Sequence, residues 1–479
     1  MDNMQRTEFH FGYLAACAAL AVGEAMGFAL GAFAPLWPLA LGALLLVALF
    51  GYGGNVRRWP WVAVFLVGLT LAGKSESARR DVLRRAELCA GPLTAAFRVA
   101  GGVREGDAWT SFDSSLDGVA VRVWFVRGAT EPPRTGDVWT CAGWLKRVSP
   151  DSRRRRDFWV CGKGTWARRT VAAADSGLAG RLARVRARLA AAAGMGLAAD
   201  DAAVALNRAM LLGARAGIPK DAKALFTEAG TNHVFAISGL HVMVVARLLL
   251  LALTLSFFPV RWAGLVLVPI LWLYTLMVGA SPSAVRAAAM ASVYFAAPLA
   301  GRRPDALVAW ALAFAAFHVV DPSLLLEVGS QLSFAVMLGI LLFLRAAAAA
   351  LSRRWTAFGV SAAAWAAGVP IVAGTFAAVS PGALAVNVAV VPLAMLAVTC
   401  AALGAVGGCA ATWLAAHLNN LAALFTRAMV ALSWATARAP LARCEVARWT
   451  MFETCAWYLA CVLALWLVRS VTRRRRLQL

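Results

Sequence analysis

The sequence predicts a polytopic α-helical membrane protein with about 12 spans and a small β-barrel domain inserted after the third span. Of its 479 residues, 61% are hydrophobic, which is more than the core of a soluble protein of this size needs. The apolar segments are about 20 residues long, and most contain a Gly or Pro, which membrane helices tolerate. Residues 74–190 differ because short alternating runs replace the long apolar ones.

Three apolar segments open the chain, and we expect its N-terminus to be cytoplasmic. They cover about residues 11–34, 36–52 and 59–73. Arg57 and Arg58 lie between the second and third segments, where the positive-inside rule places them in the cytoplasm. The first segment has no convincing small-residue cleavage site, so we interpret it as a retained span and not as a signal peptide. Residues 1–73 are therefore assigned to N-terminal transmembrane helices.

Residues 74–190 are predicted to form a basic, tryptophan-rich barrel outside the membrane. Strand-like runs cover 119–126, 138–145 and 158–161, and the region has 23 Lys and Arg against 12 Asp and Glu. Barrels with such surfaces hold single-stranded nucleic acid by neutralising phosphates and stacking bases. The candidate DNA-binding residues are Arg122, Trp124, Arg127, Trp144, Arg153, Arg154, Arg155 and Arg156. For at least half of the tryptophans we favour the alternative, packing in the barrel core or at the membrane interface.

A helical connector at 191–230 and a transmembrane domain at 231–470 are predicted next, followed by a basic cytoplasmic tail at 471–479. The connector follows a basic amphipathic stretch that we expect to lie on the membrane surface. Nine spans cover about 233–257, 261–279, 284–299, 304–319, 324–346, 356–379, 382–405, 411–437 and 452–470. Nine crossings that start outside end in the cytoplasm, in agreement with the basic tail. Arg438, Arg443 and Arg448 are the exception, because this topology places them outside.

Polar residues interrupt the start of the first of these nine spans, in the stretch EAGTNHVFAISGLHVMVV at 228–245. Polar groups at membrane depth cost several kcal/mol unless they find partners, so they usually face a bundle interior or a water-filled path. Ser238 and His241 share a helical face, and we expect Gly239 to break the helix. The alternative is a set of satisfied packing residues. Two histidines eight residues apart make a poor metal pair, so we expect neither a metal nor a cofactor.

Three later spans also contain polar residues. Arg286 follows Pro282 and either snorkels to the interface or lies in the path of an anion. Glu327 and Gln331 form a polar stripe that joins helices or lines a pore. We expect Pro370 and Pro392 to interrupt their spans, and Asn387 lies five residues before Pro392, as in transport paths or plain kinks. The candidate path residues are Asn232, His233, Ser238, Gly239, His241, Arg286, Glu327, Gln331 and Asn387.

Cysteine spacing and catalytic motifs point to no enzyme. The nine cysteines include no CxxC pair, although Cys141 and Cys161 would be able to pair in an oxidising compartment. The sequence has no nucleophile elbow, phosphate loop or HExxH motif, and its five histidines are dispersed. We therefore expect no catalytic activity.

Four motifs, in order, resemble the competence domain of the ComEC family. They are LLGARAGIPKDAKALFTEAGTNHVFAISGLHVMVV, GASPSAVRAAAM, VGSQLSFAVMLGIL, and GVPIVAGTF followed by NVAVVPLAML. Together they cover about residues 200–405, and the AISGLHV core is the most specific. The preceding region is similar to the family's N-terminal module, DUF4131, which has an OB-like barrel on the outer face. There GDVWTCAGWL fits the pattern, whereas SPDSRRRRDF replaces the usual Asn-Pro-Gly and Phe-Asp segment.

The resemblance implies an inner-membrane channel that translocates single-stranded DNA into the cytoplasm during natural transformation. It implies cytoplasmic termini, an OB-like domain outside, and the lipid bilayer, a DNA receptor, a separate nuclease and a cytoplasmic motor ATPase as partners. Many family members end in a metallo-β-lactamase-like domain, and this chain stops at Leu479 without one, so we expect another protein to degrade the second strand. A secondary transporter of a small anion is the alternative, although no inverted repeat is evident by eye. A membrane enzyme or a scaffold for envelope proteins is a third interpretation.

Overall fold

The computed structural model describes a strand-rich region and the helices that follow it. The described residues are 20–21, 67–68, 93–99, 101–105, 109–116, 119–126, 133, 137–146, 157–161, 167–171, 178–198, 200–214, 218–234, 238–347, 352–408, 411–440 and 442–477. Apart from 20–21 and 67–68, the three N-terminal spans lie outside these residues, as do the DNA-binding candidates Arg127 and Arg153 to Arg156. The chain divides into two compact units, Met1–Gly180 with Leu307–Ser330, and Arg181–Ala306 with Gln331–Leu479.

The first unit contains a mixed seven-stranded sheet. Its strands are β1 (Leu93–Arg98), β2 (Gly101–Glu105), β3 (Trp109–Leu116), β4 (Val119–Val126), β5 (Val138–Lys146), β6 (Asp157–Cys161) and β7 (Ala167–Val171). Their order is β1-β5-β6-β4-β3-β2, and β7 also pairs with β5. Only the β4–β6 pair among these described strands is parallel. The three strands predicted from the alternating pattern are confirmed, whereas closure into an OB-like barrel stays a prediction.

Aromatic side chains on the inward-facing positions form the core of this sheet. Phe97, Phe112 and Trp139 are fully buried, and the rings of Phe125 and Trp139 stack at 5.0 Å between centroids. Trp139 is therefore a core tryptophan, as the packing alternative predicts for part of the set. Cys141 is a buried thiol two residues further along β5, on the same face.

Twelve helices follow the sheet within the described part of the chain. They are α1 (Leu178–Ala192), α2 (Ala202–Leu212), α3 (Lys220–Glu228), α4 (Gly239–Leu255), α5 (Ala263–Met277), α6 (Pro282–Ala296), α7 (Ala306–Val320), α8 (Val328–Ala347), α9 (Arg353–Phe376), α10 (Gly382–Gly407), α11 (Thr412–Ala437) and α12 (Met451–Leu477). Each of the nine predicted spans overlaps one of the helices α4 to α12.

Several of these helices are able to cross a membrane by length and composition, so the chain is a multi-pass membrane protein. Five described segments meet that standard: Val260–Met277, Pro282–Ala300, Val328–Ala346, Trp355–Phe376 and Gly382–Gly407. Shorter apolar helices include α4, α7 and the segment Phe452–Leu465 of α12. The total of about 12 spans stays a prediction.

The second unit is built around the pair α10 and α11. Val390 of α10 and Met429 of α11 are fully buried in one cluster with Met210 of α2 and Val244 of α4. Their burial places α2 and α4 against the same pair. Apolar contact thus brings the connector and the first predicted channel helix onto one core.

Polar residues of α11 attach the connector to this core. Nδ2 of Asn419 donates to the carbonyl oxygens of Ala192 at 2.8 Å and Met195 at 3.0 Å. Oγ1 of Thr426 donates to Oδ1 of Asn207 at 2.6 Å, and both residues are buried. Hydrogen bonding explains why an otherwise apolar helix retains these polar side chains.

A small two-stranded sheet joins two connections between the later helices. Strand β8 (Ala378–Val379) lies between α9 and α10, and β9 (Cys444–Glu445) lies between α11 and α12. They pair antiparallel, with Ala378 opposite Glu445 and Val379 opposite Cys444. The two connections therefore lie at the same end of their helices.

Candidate functional site

The first candidate group lies where α4 begins. Ser238 has an extended backbone, with φ −116° and ψ 175°, and its N–H donates to Nδ1 of His241 at 3.1 Å. The two residues form a capping box, in which each side chain bonds the backbone of the other. The helix starts at Gly239, as the break predicted there requires. The shared face of Ser238 and His241 therefore serves first to start the helix.

The imidazole of His241 presents a buried hydrogen-bond donor. The residue is fully buried, and because Nδ1 accepts a backbone N–H, the ring proton lies on Nε2. Nε2 is also buried and has no hydrogen-bond partner in the described part of the chain. Leaving such a donor unsatisfied costs about 1–3 kcal/mol. This atom is therefore a strong candidate for contact with a polar solute.

Asn232 and His233 lie just before this helix, in the 3-10 turn Asn232–Val234, and both are exposed. A hydrogen bond attaches this turn to α11. Oγ1 of Thr231, the buried residue that precedes the turn, lies 3.3 Å from Oγ of Ser433 in α11. The stretch from Thr231 to His233 therefore lies at the end of α11 that leads into the connection with α12.

Gly230 holds the same stretch close to α10. Its φ is +72°, a left-handed conformation that favours glycine. A Cβ at this position would lie 2.8 Å from Cβ of Ala383 and 2.9 Å from Cβ of Ser380. The close approach sets the polar stretch beside the start of α10.

Arg286 lies inside the second unit and not at its surface. The side chain is only 3% exposed, and Nη2 donates to Oγ of Ser333 in α8 at 2.8 Å. Ser281 caps the helix by accepting the N–H of Ala284 at 3.4 Å, and Pro282 takes the first helical position. Snorkelling would bring the guanidinium to the interface, so its burial between α6 and α8 favours the interior interpretation.

Glu327 and Gln331 lie at the beginning of α8. Glu327 directly precedes the helix, where its carbonyl accepts the N–H of Ser330 at 2.9 Å. Gln331 is half-buried in the first turn, and Ser330 is 1% exposed. The predicted stripe therefore occupies one helical turn at this end.

Asn387 lies in the second turn of α10. It is half-buried, and its Oδ1 atom is buried without a hydrogen-bond partner among the described residues. The interruptions expected at Pro370 and Pro392 are wrong, because α9 and α10 continue through both prolines. Neighbouring helices hold each helix on both sides of its proline, and membrane helices accept proline under that condition.

Four helices of the second unit begin at one end and carry polar side chains within about two turns of their starts. A Cβ at Gly239 of α4 would lie 3.6 Å from Cβ of Ala287 in α6, and Arg286 bonds Ser333 across to α8. Cluster contacts join α4 to α10. The polar surface, as we name it, consists of Ser238, His241, Arg286, Ser333 and Asn387. Its donors are well suited to bind an anion in an apolar surrounding.

The candidate aromatic residues of the sheet lie on its outer face. Alternation puts Arg122 and Trp124 on one face of β4, and the register through Val160 of β6 aligns Trp124 with Trp144 of β5. Two strand spacings separate the tryptophans by about 10 Å. Trp144 is 39% exposed, whereas Trp124 is half-buried. Nε of Arg122 donates to Oδ1 of Asp113 at 2.7 Å, so its charge is already engaged.

Sequence reasoning missed Ser333 as the partner of Arg286. It stands three residues after Ser330 in VGSQLSFAVMLGIL, and that helical spacing was the available signal. It also missed the pair Thr231 and Ser433, whose 202 residues of separation give no local signal. Among the described residues, no group of three or more His, Cys, Asp or Glu is placed to hold a metal ion.

Comparison with known proteins identifies the family. Residues 210–471, more than half of the chain, match the family described as competence protein. The chain belongs to the competence protein family. This membership confirms the resemblance to the ComEC family that the four motifs indicate. The matched range includes α4 to α11 and all five residues of the polar surface.

One curated relative is ComE operon protein 3 of Bacillus subtilis (strain 168). The two proteins are 34% identical over 136 residues, which are 28% of this chain and 17% of the relative. The alignment therefore spans less than a fifth of the relative's length. No solved structure matches the chain.

Proposed function

We propose that this protein is an inner-membrane channel that passes single-stranded DNA into the cytoplasm during natural transformation, without covalent chemistry on the DNA. Membership of the competence family supports a role in DNA uptake. The polar surface is the observation that carries the channel proposal. Polar and ionisable side chains inside an apolar helical bundle are retained mainly where a polar solute passes or binds.

The chemistry of the polar surface suits a phosphate backbone. Phosphate oxygens accept hydrogen bonds, and the polar surface offers the guanidinium of Arg286 and Nε2–H of His241 as donors, whereas the unpartnered buried atom of Asn387 is the acceptor Oδ1. Conduction requires binding that is favourable enough for entrance and weak enough for release. One buried cation combined with separate hydrogen-bond donors meets both requirements better than a cluster of cations would.

The strand-rich domain is the proposed collector of DNA outside the membrane. Trp124 and Trp144 present aromatic surfaces on one face of the sheet, and exposed aromatic rings bind single strands by stacking on bases. In this arrangement both termini are cytoplasmic. A DNA receptor delivers the substrate, a separate nuclease removes the second strand, and a motor ATPase pulls from the cytoplasm.

Measurement of DNA uptake in a strain lacking the gene tests the proposal. Cells receive fluorescently labelled double-stranded DNA, and labelled single strands in the cytoplasm are quantified after external nuclease treatment. We expect the deletion to abolish cytoplasmic single strands, whereas the surface-bound DNA measured before nuclease treatment remains. Unchanged cytoplasmic DNA in the deletion strain would overturn the channel proposal.

Two matched arginine variants test whether DNA uptake depends on the polar surface. Arg286→Gln removes the buried guanidinium, whereas Arg247→Gln removes an exposed guanidinium from α4. We expect Arg286→Gln to lose most uptake at normal protein level and Arg247→Gln to retain it. A small-anion transporter would instead require that the deletion reduce uptake of radiolabelled phosphate or sulfate and leave DNA uptake intact.

A further inference from the structure

Positive charge is concentrated in one connection at the end of the second unit that carries the polar surface. Residues 438–450, between α11 and α12, contain Arg438, Arg443 and Arg448 with one acid, Glu445. The other connections of this unit at that end, 229–238, 278–281 and 377–381, contain no Lys, Arg, Asp or Glu. The positive-inside rule gives no reason for these arginines, because the predicted topology places this end outside.

Backbone pairing fixes this connection beside the start of α10. Glu445 of β9 lies opposite Ala378 of β8, and the N–H of Val446 donates to the carbonyl of Ala377 at 3.0 Å. Strand β8 leads directly into the helix that carries Asn387. The connection is therefore attached to the element that supplies one residue of the polar surface.

A tryptophan cluster holds the second half of the same connection. Trp449 packs against the buried cluster of Val369, Ala373 and Val379, and its ring centroid lies 5.4 Å from that of Trp457. Nε1 of Trp365 donates to the carbonyl of Ser380 at 3.0 Å, which ties α9 to the start of α10. Arg448 therefore adjoins an anchored residue, just as Arg443 adjoins the paired strand β9.

The three arginines differ in their surroundings. The guanidinium carbon of Arg438 lies 3.5 Å from the ring centroid of Trp434, an exposed tryptophan at the end of α11. A stacked Arg–Trp pair of this kind is typical of the membrane interface. Arg443 and Arg448 are exposed on a fixed backbone. Their charges are therefore available at defined positions near the polar surface.

We infer that Arg443 and Arg448 form a phosphate-binding rim that captures single-stranded DNA before it reaches the polar surface. The inference rests on the proposed channel function and adds a named contact outside the helical bundle. Single-stranded DNA is a flexible polyanion, so two exposed guanidinium groups on a fixed backbone outside the bundle complement its charge. Anionic lipid is the competing occupant, and the attachment of this connection to α10 favours the DNA.

The test measures DNA binding by the full-length protein in nanodiscs of zwitterionic lipid. Fluorescently labelled oligothymidylate is titrated by anisotropy over a series of salt concentrations for the wild type and for R443A/R448A. We expect roughly tenfold weaker binding of the double variant at about 0.1 M salt. Two lost phosphate contacts also reduce the steepness of log K against log salt by about 1.4, at about 0.7 per phosphate.

Matched variants separate this inference from general charge effects. R302A/R303A removes the same charge from exposed residues between α6 and α7, at the opposite end of α6, and we expect it to bind like the wild type. R443K/R448K keeps the charge and should recover most of the affinity. Gel filtration before reconstitution verifies that every variant is folded and monodisperse. Wild-type affinity and salt dependence in R443A/R448A would overturn the inference, as would a binding deficit confined to nanodiscs containing phosphatidylglycerol.

Uptake measurements keep this inference distinct from the channel proposal. We expect R443A/R448A to raise the DNA concentration for half-maximal uptake several-fold and to leave the maximal rate unchanged. If uptake depends on Arg286 while R443A/R448A changes neither the DNA affinity nor the DNA concentration for half-maximal uptake, only the inference about the rim is contradicted. If deletion of the gene leaves uptake intact, the channel proposal fails whatever the binding data show.

Discussion

His241 combines two roles that sequence spacing alone does not separate. Nδ1 accepts the backbone N–H of Ser238 and so helps to start α4. Nε2 is a buried donor without a partner in the described structure. The first role is structural and the second is available for function. A substitution that keeps only the first role is therefore more informative than alanine.

His241→Gln provides that substitution. Glutamine at the third helical position continues the capping box, so the helix start should remain stable. The variant replaces the imidazole Nε2–H by an amide N–H whose position is set by the capping bond of its own oxygen, so the donor no longer lies where the imidazole held it. A hydrogen bond to a charged group contributes about 1.5–3 kcal/mol, so we expect uptake to fall roughly tenfold or more. Cytoplasmic labelled DNA is measured at matched protein levels.

The control for His241→Gln is His417→Gln. His417 is exposed on α11, and its Nδ1 lies 2.8 Å from the carbonyl of Trp413. We expect this variant to take up DNA like the wild type. If His241→Gln also takes up DNA normally, the imidazole serves only as a helix cap, and His241 does not belong to the polar surface that binds DNA.

Two tryptophans of β5 differ in exposure, and this difference separates a packing role from a binding role. Trp139 and Trp144 are five residues apart on β5 and therefore point to opposite faces. Trp139 is fully buried in the core, whereas Trp144 is 39% exposed on the outer face. Composition alone indicates both roles for the domain, and only the register assigns each tryptophan to one of them.

At the scale of elements, close helix packing depends on glycine. Gly264, near the start of α5, is buried, and a Cβ there would overlap the backbone carbonyl of Phe295 near the end of α6. Small residues of this kind let membrane helices approach closely. Because α6 carries Arg286, the spacing of these two helices bears directly on the polar surface.

Gly264→Ala tests this packing. The added methyl group meets backbone that has little room to move, so we expect a loss of stability of about 1–3 kcal/mol. Gly329→Ala in α8 is the matched change, because a Cβ there meets nothing within 4 Å and alanine favours the helix by about 0.5–1 kcal/mol. Thermal stability in detergent is followed by gel filtration after heating. Equal melting temperatures for Gly264→Ala and wild type would contradict the close approach.

The elements were predictable where a pattern is local. Strand β4 has the predicted bounds, and every predicted span between 231 and 470 overlaps a helix, because alternation and long apolar runs are properties of neighbouring residues. The break at Gly239 followed from polar residues beside a glycine. Expected breaks at Pro370 and Pro392 were wrong, because contacts with distant helices decide whether a proline bends or interrupts a helix.

The candidate site was predictable only in part, for the same reason. His241, Arg286 and Asn387 stand out because polar residues in apolar helices are conspicuous in a sequence. The bond from Arg286 to Ser333 spans 47 residues, and the pairing of β8 with β9 joins connections more than 60 residues apart, so neither has a local signal. Distant partners determine which conspicuous residues meet.

For the whole molecule, the distribution of arginine predicts that one end of the second unit is cytoplasmic. Arg302 and Arg303 follow α6, and Arg345 near the end of α8 bonds both oxygens of Asp305 at 2.6 and 2.7 Å. These connections agree with the positive-inside rule, whereas 438–450 does not. The connection 438–450 is an exception to the rule only if α11 crosses the membrane. The helix has 26 residues, about 39 Å at 1.5 Å per residue, yet it is outside the five segments that qualify by composition.

Labelling of single cysteines, introduced into a cysteine-free version of the full chain, determines whether α11 crosses the membrane. DNA uptake by the cysteine-free version verifies that this version is intact. We expect a membrane-impermeant maleimide to label Ala439→Cys in intact cells, and to label Arg302→Cys and Ala411→Cys only after permeabilisation. Ala411 precedes α11 and Ala439 follows it, so labelling of both from the same side would show that α11 does not cross.

The polar residues of α11 do not argue against crossing, because Asn419 and Thr426 bond the connector inside the unit and are shielded from lipid. The pairing of β8 with β9 and the contact of Ser433 with Thr231 place the end of α11 beside the starts of α4 and α10, so we expect α11 to cross and the rim arginines and the polar surface to lie outside together.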